Sequence, residues 1–467
     1  MKFSKMAQLI LRRIYKMKVI IIGGSHAGIA CARRTREEFP DAQVIIYEKQ
    51  EQISFVSQSI PIYLMGKDDL LKNGGYATVE SLNDEGIIVK TQTIIRKIDT
   101  AKKQIFFTQN KSNEVHSTSY DKLVLAVGSY PVLPNFSGSY RDKVYTVKNI
   151  ADAKNIARLI EKAKKVIVVG AGFIGVEISQ ILAKRGLEVT LVQAHHYILN
   201  KYLDEVPARS IERMLEKEGV TLSLSTYPTN ITEPNQPSLG SAITLFTNND
   251  KVFEADAIIY STGFQPNTFL LKGQAELGER GAIEVDEYMQ TSVPDVFAIG
   301  DCATSTVYRL KGTHYLPHAA EALRQGEIAA INLAKPVLKL RPSQNTYNMN
   351  LDERSICSVG MTKTSAEQNG YKCGIVNYRN TYLNSDKYIN AYMVYEKETH
   401  QILGLQIEGT SPEIPSYSDL ISLAIQYDLT AEDLEFSDFY FKHSYKNPGG
   451  IIRPLVKLIR KEDTQSH

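Results

Sequence analysis

The chain reads as an α/β protein: two Rossmann-like dinucleotide-binding domains followed by a C-terminal α+β domain. Three observations predict this. A β-branched apolar run leads into a glycine-rich turn at Gly23–Gly28, the same arrangement returns at Gly170–Gly175, and no such fingerprint follows Leu333. The expected division is an extension at 1–16, a first nucleotide domain at 17–147, a second at 148–270, a return to the first at 271–335, and a C-terminal domain at 336–467.

Composition agrees with a large globular protein. The chain has 467 residues, 43% hydrophobic and 23% charged, which is room for about three domains. A net charge of +2 gives no general pull towards nucleic acid or acidic partners. Four scattered cysteines, Cys31, Cys302, Cys357 and Cys373, include no CxxC pair and no zinc spacing. They read as buried free thiols in a reducing, cytoplasmic setting, with no metal site. No apolar run approaches the roughly 20 residues needed to span a bilayer. Residues 1–16 interleave Lys2, Lys5, Arg12, Arg13 and Lys16 with apolar side chains. They read as a basic amphipathic segment touching membrane or, the favoured reading, as an unstructured extension ahead of Met17.

In the first unit, Lys18–Ile22 has the continuous apolar character of a buried parallel strand. Gly23-Gly24-Ser25-His26-Ala27-Gly28 and an alanine-rich helix follow, then the strand Gln43–Tyr47 ending at the acid Glu48, twenty positions after Gly28. This is a βαβ unit with a ribose-binding carboxylate at the expected distance. The helix N-terminus offers N–H groups to a pyrophosphate. Ser25 replaces the middle glycine but is small enough to keep the backbone approach. Tyr120–Ser129 is a further buried strand running into the small-residue turn Ala126–Gly128.

The second unit repeats the pattern with all glycines in place. Lys165–Val169 leads into Gly170-Ala171-Gly172-Phe173-Ile174-Gly175-Val176-Glu177; a helix then runs to Lys184, capped by Gly186, and Glu188–Val192 is the next strand. Gln193 stands where a carboxylate would read the ribose 2′-OH. A glutamine still hydrogen-bonds a hydroxyl and does not repel a 2′-phosphate. His195 and His196 either attract such a phosphate weakly or are exposed loop histidines. The balance leans to NADH and leaves NADPH open. Asp256–Asn267, containing Gly263, is the strand and turn that close this unit.

Val293–Asp301 then reads as a strand ending in Gly300-Asp301, and Leu316–Gly326 as a helix with Pro317 near its first turn. After Pro336 and the polar linker Arg341–Asn345, the strands Tyr388–Tyr395 and Ile402–Glu408 and a helix at Ser418–Tyr427 make an α+β domain whose expected use is dimerisation.

The motifs Ser25-His26-Ala27-Gly28, Ile53-Ser54-Phe55, Pro61, Thr291-Ser292 and Gly300-Asp301, in this order, resemble the flavin-dependent pyridine nucleotide-disulfide oxidoreductases. The branch is that of NADH oxidase, NADH peroxidase and coenzyme A-disulfide reductase, and the likeness covers Met17 to Pro448. It implies FAD in the first unit and NAD(P)H in the second, with the C-terminal domain pairing two subunits. The implied FAD contacts are Gly23, Ser25, His26, Ala27, Gly28, Glu48, Lys49, Ser54, Ala126, Gly128, Gly300, Asp301 (accepting from the ribityl chain), Pro317, His318 and Ala319. The implied NAD(P) contacts are Gly170, Gly172, Phe173, Ile174, Gly175, Glu177, Gln193 and Gly263, with Phe173 as an aromatic gate and Glu177 near the nicotinamide.

The likeness breaks at one place. The branch carries a redox cysteine three positions before the proline of the Ser-Phe segment, and Gln58 stands there. Disulfide and peroxide reduction need a sulfur that becomes thiolate or sulfenic acid, which an amide cannot do. His26 matches the histidine beside that sulfur; here it either hydrogen-bonds a reduced oxygen species or Gln58, or fills space. The expectation is an NAD(P)H oxidase that passes hydride to FAD and electrons to oxygen, releasing hydrogen peroxide, with Gln58 and His26 at the reacting centre. The alternatives are a reductase of quinones or other small acceptors and a weakly active flavoprotein redox sensor.

Overall fold

The computed structural model describes residues 17–66, 75–110, 112–134, 139–233 and 242–465. The basic segment 1–16 lies outside them.

The first unit starts with β1 (Lys18–Ile22), α1 (His26–Glu38), β2 (Gln43–Tyr47), β3 (Ile87–Lys90) and β4 (Lys122–Leu125). Val19, Ile20 and Ile21 have no exposed surface, as expected for a strand covered on both faces. The second unit holds β5 (Lys165–Val169), α2 (Phe173–Lys184), β6 (Glu188–Val192), β7 (Val220–Ser223) and β8 (Ala257–Tyr260). Its sheet runs β7–β6–β5–β8 and adds Val144–Thr146 at the edge, every pairing parallel. The chain then returns: β9 (Val296–Ala298) completes the first sheet in the order β9–β4–β1–β2–β3, also fully parallel. The helix α3 (Ala319–Asn332) packs on α1 so closely that a Cβ on Gly326 would stand 2.4 Å from the Ala27 carbonyl oxygen.

The C-terminal domain is an antiparallel five-stranded sheet, Tyr347–Leu351, Arg354–Gly360, Ile402–Gly409, Tyr388–Glu396 and Cys373–Thr381 in spatial order. Helices Ile414–Gln426 and Ile452–Gln465 share its core through Ile421, Ile425, Leu455 and Ile459.

Some boundaries differ from the sequence reading. The strand expected to run into the small-residue turn begins at Lys122, later than Tyr120, and ends at Leu125; Gly128 takes a left-handed φ of 68° in that turn. Pro317 is not in the first turn of its helix: α3 begins at Ala319 with His318 as N-cap, so the proline sits in the extended approach. The late helix begins at Ile414, earlier than Ser418, with Pro415 in its first turn. Among the described residues no helix is long and apolar enough to cross a membrane.

Candidate functional site

Each fingerprint builds a cradle from steric necessity. A Cβ on Gly23 would lie 2.1 Å from the Ala126 carbonyl oxygen, and one on Gly28 would lie 2.0 Å from that of Gly23. Only glycine lets β1, the turn, α1 and the end of β4 come this close. Ala27 is buried within the turn, while Ser25, the N-cap of α1, is exposed and its side chain makes no capping bond. Glu48 stands just past β2. One of its carboxylate oxygens accepts from the Gly24 N–H (2.8 Å), the other from the Gln50 N–H (2.7 Å). The carboxylate is thus fixed at the lip of the cradle, with lone pairs left for ribose hydroxyls. Its neighbour Lys49 is exposed.

In the second cradle a Cβ on Gly175 would meet the Gly170 carbonyl oxygen at 1.8 Å, and one on Gly170 would meet that of Ser261 at 2.8 Å. The middle glycine differs: nothing lies within 4 Å of where a Gly172 Cβ would be. That space at a helix N-terminus fits a pyrophosphate. Ile174, in the first turn of α2, is half-buried, and Gly263 follows β8 at a φ of 111°.

One helical turn apart on α2, Phe173 and Glu177 share a face. Phe173 stacks on Tyr202 with ring centroids 4.1 Å apart, Tyr202 meets Tyr347 at 4.6 Å, and Tyr347 meets His318 at 4.7 Å. This aromatic run joins the second cradle to the N-terminus of α3. Burial pushes the Glu177 carboxyl up to about 7. Gln193 is 8% exposed, and its amide is turned into the protein, where Nε2 donates to Asn200 Oδ1 (3.1 Å) and Oε1 accepts from the Ala194 N–H (3.2 Å). His195 and His196 are exposed.

The stretch Ile53–Tyr63 bridges the two units. Ile53 belongs to the core of the first, while Ile60 and Leu64 are buried in the core of the second. Ser54 adopts a left-handed φ of 55° and is fully buried. Its N–H donates to the Gly24 carbonyl (2.8 Å), and its hydroxyl donates to the Ala77 carbonyl (2.7 Å), so the side chain braces the loop from below. Gln58, at the N-cap of the short helix Ser59–Leu64, is exposed and makes no side-chain capping bond.

Around this bridge the structure gathers groups from distant parts of the chain. His26 Nδ1 lies 3.2 Å from the Tyr76 hydroxyl, with the two rings stacked. Burial lowers the His26 pKa, opposed by Asp301 and aided by Lys148, which keeps the imidazole neutral at neutral pH. One Asp301 oxygen accepts from Ser129 Oγ (2.8 Å) and from Lys148 Nζ (2.9 Å). The Lys148 ammonium also lies 4.2 Å from the centre of the Phe264 ring. Gly300 N–H donates to Gln325 Oε1 (2.7 Å), fixing the turn that carries Asp301 against α3. His318, N-cap of α3, is likewise lowered by burial.

Lys148, Tyr76, Tyr202 and Tyr347 escaped the sequence reading. No motif marks them, and only a count of aromatic and cationic side chains near domain crossings could have raised them. No thiol is exposed at this centre: Cys302 follows Asp301, but its Sγ is buried against the Leu125 and Ile299 carbonyls. All four cysteines are free and buried, and burial pushes Cys31 and Cys357 up to about 12 and Cys302 to about 11, and raises Cys373. Among the described residues no three His, Cys, Asp or Glu side chains are grouped to hold a metal ion.

Two nucleotide cradles meeting at one junction are the architecture of an oxidoreductase that passes electrons between two bound nucleotides. Residues 17–326 match the pyridine nucleotide-disulphide oxidoreductase family and residues 353–443 match its dimerisation domain, so the chain belongs to that family of enzymes. It is 35% identical to an NADH oxidase of Enterococcus faecalis, over 94% of this chain and 99% of the relative. Among solved structures it resembles the water-forming NADH oxidase from Lactobacillus brevis bound to NADH, at 31% identity and a TM-score of 0.90, covering 97% of this chain and 100% of the other. The NAD-dependent persulfide reductase from A. fulgidus is also similar, at 26% identity and a TM-score of 0.88, covering 96% of this chain and 84% of that one.

Proposed function

We propose that this chain is an FAD-dependent NAD(P)H oxidase that releases hydrogen peroxide: NAD(P)H, a proton and dioxygen give NAD(P)⁺ and H₂O₂. The first cradle would hold FAD, which when bound would supply the redox chemistry between nicotinamide and oxygen. The chain's own groups position and tune. Gly23, Gly28 and Glu48 hold the adenosine end; Gly170, Gly172 and Gly175 hold the pyrophosphate of NAD(P)H. Phe173, backed by Tyr202 and Tyr347, shields the nicotinamide side, with Glu177 one turn below it. The N-terminus of α3, reached through Pro317, His318 and Ala319, presents positive potential where negative charge develops. Asp301, braced by Lys148 and Ser129, orients the ribityl side. His26, neutral and set in orientation by the Tyr76 hydroxyl, donates a hydrogen bond to reduced oxygen.

One observation carries the choice of product. Gln58 stands exposed on the bridge between the two units, where the family has its sulfur, and every cysteine is buried elsewhere with a raised pKa. Without a thiolate to form sulfenic acid, peroxide has no partner to reduce it and leaves. The pairing of two copies through residues 353–443, beside the exposed Phe436, Tyr440 and Phe441, completes this reading. The test is stoichiometry in air: equal amounts of oxygen and NADH consumed, with the oxygen recovered as peroxide. Consumption of half as much oxygen as NADH, with no peroxide, would overturn it. Fast anaerobic reduction of quinones with slow oxygen uptake would favour an acceptor reductase instead.

A further inference from the structure

We infer that the second nucleotide site does not discriminate at the ribose 2′ position, so that NADH and NADPH serve about equally. This rests on the reading of that unit as the NAD(P)H site. Discrimination for NADH has two physical parts: an acceptor for the 2′-hydroxyl and a fixed negative charge that repels a 2′-phosphate. Gln193 occupies the reading position at the end of β6; it carries no charge, and its amide is largely buried and engaged within its own loop. Its backbone N–H is spent on the Ser223 carbonyl (2.9 Å). Its side chain is 8% exposed, with the amide nitrogen given to Asn200 Oδ1 at 3.1 Å and the amide oxygen taking the Ala194 N–H at 3.2 Å. A glutamine can still hydrogen-bond a ribose hydroxyl, but this one is held by its own loop and brings no charge to the choice.

The surroundings do not restore a preference. The positions that follow, Ala194, His195 and His196, are exposed and carry no carboxylate. Glu205, the acid that approaches His196 (3.7 Å), is bound at 2.8 Å by Arg209. That same arginine is also held by Glu212 at 2.7 Å, so its guanidinium is neutralised twice and does not select a phosphate. Between Gln193 and His196 no carboxylate, lysine or arginine stands to favour or reject the extra phosphate. A site that merely lacks repulsion accepts both nucleotides, because specificity is a difference between two affinities.

Anaerobic stopped-flow reduction of the bound flavin tests this without oxygen. The expected second-order rate constants for NADH and NADPH lie within about fivefold of each other, and Gln193→Asp shifts their ratio towards NADH by at least about tenfold. A wild-type preference of about a hundredfold or more for either nucleotide overturns the inference, as does a Gln193→Asp protein with an unchanged ratio. Should that variant fail to fold, the wild-type protein decides alone. Calorimetric dissociation constants for ADP-ribose and 2′-phospho-ADP-ribose should agree within about fivefold, and a hundredfold gap refutes it. If neither nucleotide bleaches the flavin and neither fragment binds, the NAD(P)H assignment itself fails, an outcome distinct from a strong preference.

Discussion

The two nucleotide cradles share a backbone and differ in what they offer a ligand. In both, the first and last glycines sit where a Cβ would collide with carbonyl oxygens, at 2.1 and 2.0 Å in one unit and 2.8 and 1.8 Å in the other. In both, the middle position is open: Ser25 is exposed, and Gly172 faces empty space. At the residue that follows the second strand of each unit they part. Glu48 is a carboxylate pinned by two backbone N–H groups, whereas Gln193 is an amide folded into its loop. The difference separates two kinds of constraint. Positions fixed by packing keep the fold, and residues at the open lip of a cradle are free of that constraint.

The largest expected effect tests the packing half. Gly23→Ala places a Cβ 2.1 Å from the Ala126 carbonyl at a φ of 115°. Strain and overpacking together should cost roughly 3 kcal/mol or more, seen as colourless protein and a Tm lower by several degrees. Gly172→Ala, with a φ of −77° and nothing in reach, should keep its Tm and its flavin while NAD(P)H binding weakens. Equal damage from both substitutions would break the distinction.

Glu48→Ala probes the lip of the first cradle. It removes a charged acceptor and frees the Gly24 and Gln50 N–H groups, so flavin affinity should fall by about 2 kcal/mol, roughly thirtyfold. Dialysis followed by absorbance at the flavin band measures it. Gln58→Cys concerns the bridge between the cradles. With a sulfur restored, oxygen consumed per NADH should drop towards one half and the peroxide yield should fall; an unchanged yield would mean position 58 does not face the reacting centre.

How far the sequence reaches follows the same division. The βαβ units were legible because strand, glycine turn, helix and acid lie within one local stretch whose spacing is dictated by packing. The glutamine at position 58 was legible against the family's segment. What escaped is built across the chain. Lys148 meets Asp301 across 153 positions, and Tyr347 enters the aromatic run from the first strand of the C-terminal domain. The state of Gln193 was also hidden, since a glutamine in a sequence does not disclose whether its amide faces a ligand or Asn200. Pro317 misled for a related reason: proline suits a first helical turn, but here the N-cap falls one residue later, at His318.

The smallest expected effect concerns Glu177, which sits below the second cradle with no counterpart in the first. Burial raises its pKa from 4.5 to about 7. Between those values the native protein holds a proton that the unfolded chain has released, so stability falls as pH climbs through that window and levels off above it. Glu177→Gln removes the titration, and the slope of Tm against pH between about 5 and 7 should flatten relative to the parent. The same ionisation reaches the chemistry if Glu177 lies by the nicotinamide, because a carboxylate there stabilises the positive charge that grows as hydride departs. Anaerobic flavin reduction should then quicken as pH rises through about 7 in the parent, and Glu177→Gln should be slower above that pH and flat across it. A flattened Tm slope with an unchanged rate profile would leave Glu177 as a buried acid of the second unit's core, remote from the nucleotide.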